Sequence, residues 1–194
     1  MILTIPCTQA PSLPEAACWS VPDLGFMHPP QWRERAQVEH DETLLQPVAY
    51  GVLFNEAGEV WCYQRAGGDV RVDGCYSCGV GGHVDAVDAT QPFDPEAALR
   101  CAWLRELAEE LNAAPVHLAD VRLHGLVYEG LSAIGRVHLG VVFVARWCGP
   151  TAPQPAEGEA LHPMGFMPLA HIATDARFEL WSRLVAQHLL SPNV

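Results

Sequence analysis

The feature that most constrains this chain is an amphipathic helix with clear signals at both ends. Asp94 is a favourable N-cap, Pro95 suits the first helical position, and Glu96 complements the helix dipole. Asn112 stands where a left-handed C-cap is expected, and Pro115 follows it. Apolar side chains at three- and four-residue spacing predict one buried face, made of Ala97, Ala98, Cys101, Leu104, Ala108 and Leu111.

Strand patterns lie on both sides of this helix. Two apolar stretches, 47–54 and 59–64, are joined by a glycine-bearing turn, which predicts a hairpin. Longer strands are predicted over 121–128 and 136–147, and a second amphipathic helix over 176–190. We therefore predict an α/β (α+β) fold, an α/β/α sandwich with a central mixed β-sheet.

The first part of the chain lacks this regularity. Residues 1–45 contain Pro29, Pro30 and an acidic run but no clean period, so we predict an irregular N-terminal arm. Residues 46–194 are then expected to form one domain, a division that suits a chain of 194 residues. No Lys or Arg precedes the first apolar residues, which argues against a secretory signal.

Composition excludes some classes of partner. The net charge is −12 and only 11 residues are Lys or Arg, whereas binding to a nucleic-acid polymer depends on such residues neutralising phosphates. A polyanionic ligand would have to be small, with a cation to bridge it. The seven cysteines form no complete zinc pattern and indicate reduced thiols of a cytoplasmic protein. No apolar run is long enough for a membrane span.

Three glutamates of the predicted helix share one face. Glu106, Glu109 and Glu110 are spaced i, i+3 and i+4, and we expect them opposite the apolar stripe. Like charges at this spacing destabilise a helix by roughly 0.2–0.5 kcal/mol per pair, a cost that a bound cation removes. Carboxylate oxygens suit magnesium or manganese. A solvated acidic face is the alternative if the motif stands alone.

A glycine-rich segment upstream favours the metal site over the solvated face. Gly79-Val80-Gly81-Gly82-His83 ends a predicted strand, and glycines there allow backbone groups to approach a ligand closely. A strand, a Gly-Gly loop and an acid-faced helix together predict a cradle for metal and phosphate.

These segments resemble the Nudix box, G-x5-E-x7-R-E-U-x-E-E-x-G-U, in which U is a bulky apolar residue. Gly82 matches the first glycine, and the run from Arg105 to Glu110 matches the core in order and spacing. Arg105 follows Gly82 by 23 positions instead of 14, which predicts an insertion at residues 85–93. Counting back from Arg105, the first box Glu falls at Ala97.

A narrower resemblance, over about residues 45–175, is to a bacterial subgroup of Nudix proteins described as predicted phosphoesterases. It is carried by residues 76–84 with the preceding 68–71, and by residues 137–143. The subgroup tolerates a longer box loop and implies no established substrate.

The resemblance implies the roles of the box residues. Glu106, Glu109 and Glu110 would bind Mg²⁺, with Mn²⁺ as an alternative, and the carbonyl of Gly82 would be a further ligand. Arg105 would hold a carboxylate in position, and Glu106 would share the work of the general base. We therefore name Arg105, Glu106 and Glu110 as the catalytic residues.

The resemblance also implies an acid from a loop beyond the box. Glu159 is the first choice for this additional metal ligand because it precedes a late strand, and Glu157 and Glu129 are alternatives. An ordinary surface acid is the competing interpretation of each.

Three further residues are candidates for binding substrate. Arg65 and Arg71 flank the exit of the hairpin and are placed to touch phosphate, and His83 adjoins the glycine-rich loop. Surface arginines and loop packing are the alternatives.

The implied function is hydrolysis of a phosphoanhydride bond in a nucleoside diphosphate linked to another moiety, or in a similar phosphorylated metabolite. One alternative is a Nudix-like sensor that binds a nucleotide or metabolite without turnover, but such domains usually lose box glutamates. Another is an isomerase resembling those of isopentenyl diphosphate, which has a Cys just before Gly-His, where this chain has Gly81. A homodimer is the default assembly.

Overall fold

The structure is a computed structural model that describes residues 1–67 and 74–191. Within those ranges the strands are β1 Ile2–Pro6, β2 Ala16–Trp19, β3 Gln31–Arg33, β4 Leu44–Phe54, β5 Val60–Arg65, β6 Tyr76–Ser77, β7 Leu118–Glu129, β8 His138–Trp147 and β9 Leu161–Met167. The helices are α1 Arg35–Val38, α2 Pro95–Leu111, α3 Leu169–Thr174 and α4 Leu180–Leu189.

The strands form one mixed sheet with a parallel pair at its centre. β4 runs parallel to β8 from Gln46 opposite His138 to Phe54 opposite Arg146. β7 is antiparallel to β8, and the predicted hairpin of β4 and β5 is present. The path through the sheet is β2-β7-β8-β4-β1-β3, and β5 also pairs with β6 and β9. The predicted mixed α+β fold with a central mixed sheet is confirmed.

Side chains alternate between two hydrophobic layers along β4. Leu45, Ala49 and Leu53 belong to the cluster under α2, whereas Tyr50 and Val52 belong to the cluster under α3 and α4. This period of two is the signature of a strand buried on both faces. The sheet is therefore sandwiched between α2 on one side and α3 with α4 on the other.

Helix α2 lies very close to the sheet at one point. A Cβ built at Gly51 of β4 would fall 1.8 Å from the indole of Trp103. Trp103 is fully buried and stacks on Phe143 of β8, with ring centroids 5.5 Å apart. Only a glycine permits this contact, which fixes the distance between α2 and the strand beneath it.

The ends of α2 agree with the cap signals. The Asp94 side chain accepts a hydrogen bond from the Ala97 amide at 3.1 Å, and Asn112 adopts a left-handed φ of 50°. The buried side of the helix differs from the predicted stripe, because Cys101 and Ala108 are exposed. The buried residues are Pro95, Ala98, Leu99, Ala102, Trp103, Leu107 and Leu111.

The large side chains, not the small ones, determine which side of α2 faces the sheet. Leu99 and Trp103 gain more from burial than a cysteine or an alanine does. Glu106 and Glu110, expected opposite the apolar stripe, instead lie beside the buried residues and are themselves partly buried. The acids therefore point toward the edge of the sheet.

The N-terminal segment is more regular than its sequence indicates. β1 pairs with the start of β4 through Ile5 and Leu45, and β2 pairs with β7. Leu3 and Met27 join the core. Strands of three to five residues are too short for a periodic signal, so the expected irregular arm is corrected here. The boundary at residue 45 stays a prediction.

The C-terminal region contains two helices where one was expected. Residues 176–190 were predicted as one helix, but α4 begins only at Leu180, and the separate α3 precedes it. In the part of the chain that the structure describes, we find no helix with the length and apolar character needed to cross a membrane.

Candidate active site

Arg105 lies at the centre of a network of acids. Its Nε and Nη2 donate to the two carboxylate oxygens of Asp88 at 3.2 and 2.9 Å, and Nη2 also donates to the His83 carbonyl at 3.0 Å. The Asp88 side chain is only 5% exposed. These hydrogen bonds raise the pKa of Arg105, with Asp88 as the largest cause. A bidentate pair of this kind fixes both partners in orientation.

Asp88 was missed from the sequence. It stands six positions after Gly82, where the box has its first Glu, and a short 3₁₀ turn, Ala86–Asp88, aims it at Arg105. The backward count that placed the first acid at Ala97 is therefore wrong. The extra residues follow Asp88 instead of preceding it. Counting forward from Gly82 and accepting Asp for Glu would have found the residue.

Two of the three helical glutamates contact Arg105. Its Nη1 donates to Glu106 at 2.8 Å and to Glu109 at 3.3 Å. The Glu106 side chain is 19% exposed, whereas that of Glu109 is 58% exposed. Burial raises the pKa of Glu106, partly offset by Arg105. The guanidinium thus holds Glu106 in place and touches Glu109 only at the surface.

Of the three helical glutamates, Glu110 has the fewest hydrogen-bond partners for its carboxylate among the described residues. Within the described chain its carboxylate accepts no hydrogen bond. Burial, followed by repulsion from Glu106, raises the pKa of Glu110 to about 7, while Arg65 opposes the shift. Repulsion from Glu159 adds to the rise in the pKa of Glu110. Among the described residues, the site carries more negative charge than its cations neutralise.

The loop after β8 reaches the acid cluster through backbone hydrogen bonds. The Ala156 amide donates to the Glu110 carbonyl at 2.7 Å, and the Ala66 amide donates to the Ala160 carbonyl at 2.8 Å. Both Glu157 and Glu159 are exposed on this loop. The loop therefore brings Glu159, the predicted distal acid, to the C-terminal end of α2.

Glu129, the third choice for a distal acid, has a different task. Its buried carboxylate accepts the backbone amides of Leu131 and Ser132 at 2.7 and 2.9 Å, and the Ser132 hydroxyl as well. It organises the turn between β7 and β8. With its oxygens engaged in this way, Glu129 is a poor candidate for a metal ligand.

Gly82 lies directly against Glu106. A Cβ at this position would fall 2.5 Å from Oε1 of Glu106, so a larger residue would displace the acid. The Gly82 carbonyl accepts a hydrogen bond from the Ala49 amide at 2.9 Å, which ties the loop to β4 and leaves one lone pair. Absence of a side chain at Gly82 thus creates the room that the acid occupies.

The donor set suits a hard divalent cation. Surplus carboxylates, the raised pKa of Glu110 and the space at Gly82 all agree with an oxygen-ligated metal. Among residues 1–67 and 74–191, however, no three acids, histidines or cysteines already stand close enough together to hold one. Arg105 Nη1, which spans Glu106 and Glu109, would have to release Glu109.

His83 faces the opposite side of the loop from the acids. Its Nε2 is 2.9 Å from Oε1 of Gln46 and 3.2 Å from Nε2 of His138, whose Nδ1 is 2.7 Å from the Ile134 carbonyl. Burial, reinforced by His138, lowers the pKa of His83 to about 3. The imidazole is therefore neutral at physiological pH. Arg71 lies outside the described residues.

Two cavities meet at the glycine-rich loop. The larger, of about 700 Å³, runs beside α4 and is lined by Tyr50, Trp181 and Arg65 among others. The smaller, of about 370 Å³, includes Glu106. Gly82 and His83 border both, so a ligand bound at the acids can extend into the larger cavity.

Solved structures share the fold of this chain. Tm1382, described as a candidate Nudix hydrolase, superposes with a TM-score of 0.75 at 25% identity and covers 97% of each chain. The MutT NUDIX hydrolase from Burkholderia pseudomallei is 20% identical, with a TM-score of 0.56 over 75% of this chain and 98% of that one. Together with the box residues, these likenesses show that the chain has the fold of the Nudix hydrolases and resembles that family.

Two further comparisons do not identify an activity for this chain. Protein YmaB of Bacillus subtilis (strain 168) is 28% identical over 160 residues, which cover 80% of this chain and 76% of YmaB. The NUDIX domain of Shewanella oneidensis NrtR, solved with ADP ribose, is 19% identical, with a TM-score of 0.51 over 75% of this chain and 87% of that one. A scan against protein-family models finds no match.

Proposed function

We propose that the chain is a divalent-metal-dependent Nudix hydrolase. Its substrate would be a nucleoside diphosphate linked to another moiety, or a similar phosphorylated metabolite, cleaved at the phosphoanhydride bond. The observation that carries this proposal is the Asp88–Arg105 clamp, which holds Glu106 against Gly82 beside a second, poorly supported acid, Glu110. Such an arrangement is costly unless a cation or a substrate uses it.

The metal would be Mg²⁺, with Mn²⁺ as the alternative. Glu106, Glu109, Glu110 and Glu159 would supply carboxylate oxygens, and the Gly82 carbonyl would supply another. When bound, the ion offers positive charge to the phosphates and acidity to a water molecule.

The protein's own residues would orient the reaction. Arg105, fixed by Asp88, keeps Glu106 in one rotamer, and Glu106 would accept the proton of the attacking water. Arg65, at the border between the larger cavity and Glu110, would bind a substrate phosphate, and Arg71 remains a second candidate for that role. His83, neutral and bonded to Gln46, would orient the substrate beside the loop.

The isomerase alternative loses support from the position of Cys78. This thiol is fully buried, and its Sγ lies 3.9 Å from the Ser182 carbonyl, on the α4 side of the sheet. Burial raises the pKa of Cys78 to about 12, so a thiolate is strongly disfavoured. A sensor without turnover is also less favoured, because all three box glutamates are retained.

A screen of nucleoside diphosphate derivatives tests the proposal. Wild-type protein should release phosphate-containing products, identified by mass, with Mg²⁺ or Mn²⁺ and none with EDTA. Glu106→Gln, which keeps the size of the side chain, should abolish the products. Tight binding of a derivative with no product under any metal condition would favour the sensor instead.

Organisation and location stay proposals. We infer that residues 46–194 carry the hydrolase domain, that the protein works in the cytoplasm, and that it forms a homodimer. All seven cysteines are free, as expected for a reducing compartment.

A further inference from the structure

The larger cavity is lined by three arginines that form no salt bridge with any residue that the structure describes. The chain has a net charge of −12, yet Arg35, Arg65 and Arg183 all line this cavity and form no salt bridge within the described ranges. Among the described residues, the arginines that form salt bridges are Arg100, Arg105, Arg136, Arg146 and Arg177, and the exposed Arg33 and Arg122 form none. In so acidic a protein, three cations around one cavity that form no salt bridge with a described residue indicate a place for a negatively charged ligand.

Two of these guanidinium groups carry a buried donor without an acceptor. The Nε atoms of Arg65 and Arg183 are shielded from solvent and have no hydrogen-bond partner among the described residues. Buried donors are nearly always satisfied in a working protein, by other groups, by water or by a ligand. An anion in the cavity would satisfy both.

Acids that border the cavity form no salt bridge with these arginines within the described residues, although Tyr63, with Glu179 and the nearby Glu110, raises the pKa of Arg65. Glu129 is engaged by the turn after β7, and Oε1 of Glu179 accepts the hydroxyls of Ser77 at 2.6 Å and Tyr50 at 3.2 Å. Glu39 also borders the cavity and forms no salt bridge in the described chain. Within the described residues, the charges of Arg35 and Arg183 therefore remain available to a ligand.

The three arginines come from distant parts of the chain. Arg35 lies on α1 and borders both cavities, Arg65 ends β5 close to Glu110, and Arg183 lies on α4. A ligand in contact with all three would extend from the acid cluster to α4. The N-terminal segment would thus contribute directly to substrate recognition.

We propose that this cavity binds an anionic group that the substrate carries in addition to the phosphates at the cleaved bond. The substrate class is then a phosphoanhydride with a further phosphate or carboxylate, recognised by Arg35 and Arg183. Assignment of this ligand as a substrate rests on the proposed hydrolase function. Anion binding itself does not depend on it.

Calorimetric titration in EDTA tests the anion site without turnover. Inorganic tripolyphosphate represents linked phosphates, and tricarballylate represents carboxylates, so the probe that binds identifies the chemistry. Arg35→Gln and Arg183→Gln should each weaken binding about ten-fold or more, the effect of losing one charge-assisted hydrogen bond. Arg122→Gln is the matched control, because Arg122 is an exposed arginine without a salt bridge in the described residues and lies outside the cavity.

Other results would overturn the proposal. They are no binding of either probe to wild-type protein, or an equal loss in the Arg122 variant, which would show only a general effect of charge. Thermal melting checks that the variants fold, and Arg183→Lys, which keeps the charge, should retain part of the affinity. Glu110→Gln should still bind the probe even though it has lost turnover, so failure of the anion site and failure of the hydrolase proposal are distinguishable.

Discussion

The acid turn of α2 and the cavity beside α4 differ in which charge lacks a partner. Around Arg105, four acids surround one guanidinium, and the carboxylate of the nearby Glu110 accepts no hydrogen bond within the described chain. Beside α4, by contrast, Arg35, Arg65 and Arg183 form no salt bridge with a described residue, and the Nε atoms of Arg65 and Arg183 are buried without an acceptor there. The two regions meet at Gly82 and His83. The acid turn thus has a surplus of carboxylates, and the cavity has a surplus of guanidinium groups. This is the pattern expected if a cation binds at the acid turn and an anion binds in the cavity.

The largest effect should come from the acid with the least internal support. Glu110→Gln is expected to lower turnover by at least about a thousand-fold, because it removes a proposed metal ligand. Steady-state rates with Mg²⁺ measure this, and Glu96→Gln, whose acid pairs with Arg100 at the start of α2, is the matched control. Equal rates in the two variants would remove Glu110 from the site.

Stability should respond to the same variant in the opposite direction. In the folded state the pKa of Glu110 is raised from 4.5 to about 7. The folded protein therefore loses stability as the pH rises from 4.5 through 7, because the unfolded chain gives up this proton more readily. The Gln variant carries no such charge. Its melting temperature above pH 7 should therefore equal or exceed that of wild type.

A side chain added at Gly82, next to Glu106, should have the next largest effect. Gly82→Ala is expected to lower turnover by about 100-fold, because the added Cβ would displace Glu106. Gly130→Ala, where a Cβ meets nothing nearer than 3.4 Å, should change the rate little. A fully active Gly82→Ala protein would show that the position of Glu106 does not limit the rate.

Loss of the clamp should have a moderate effect. Asp88→Asn breaks the charged bidentate pair with Arg105 and is expected to lower turnover by about 10- to 100-fold, as for other residues that orient metal ligands. Asp85→Asn, whose carboxylate is 3.8 Å from Arg105, should cost less. If both changes have the same effect, Asp88 is not the anchor of the network.

The melting temperature should depend on pH through His124, which is buried on the α4 side of the sheet. Burial, followed by His188 and Arg122, lowers the pKa of His124 to about 4, below its value of about 6.5 in the unfolded chain. Because folding keeps this imidazole neutral, the contribution of His124 to the stability of the folded protein is highest above pH 6.5. This contribution is lost as the pH falls from 6.5 through 4, where the unfolded chain binds the proton first.

The His124→Gln variant should show this loss by difference. Its melting temperature should fall less than that of wild type between pH 6.5 and 4, by about 2–4 °C, the shift that about 1 kcal/mol gives at this size. His40→Gln, at an exposed histidine, is the control. Parallel melting curves for wild type and the His124 variant would mean that His124 is not held neutral.

The smallest effect is expected where the backward count placed the first box acid. Ala97→Glu should change turnover within about two-fold, the usual range for a change away from packed or catalytic groups, because Asp88 already holds Arg105. A large gain in rate would mean that Asp88 is an inadequate substitute for the family's Glu.

Local signals explain what the sequence could predict. The caps of α2, the spacing of its acids and the hairpin of β4 and β5 depend on residues close together in the chain. The resemblance to the Nudix box depends on the same residues. The roles given to Glu106, Glu109 and Glu159 stay predictions, although the structure brings them to one end of α2.

Tertiary closure explains what the sequence could not predict. Asp88 reaches Arg105 only because the loop between Gly82 and α2 folds back onto the helix. The convergence of Arg35 and Arg183 on one cavity joins the first helix to the last. The strands before residue 45 gain stability from pairing with β4 and β7, not from their own pattern.

The contact between Gly51 and Trp103 has a consequence for how function can be lost. Glu106 and Glu110 lie one and two turns beyond Trp103 on the same rigid helix. A side chain at position 51 would lift the indole and tilt the whole rod, carrying both carboxylates away from the glycine loop. A mutational scan of β4 should therefore find that every substitution at Gly51 lowers activity, although this residue touches no ligand. The cause would be a larger distance between α2 and β4.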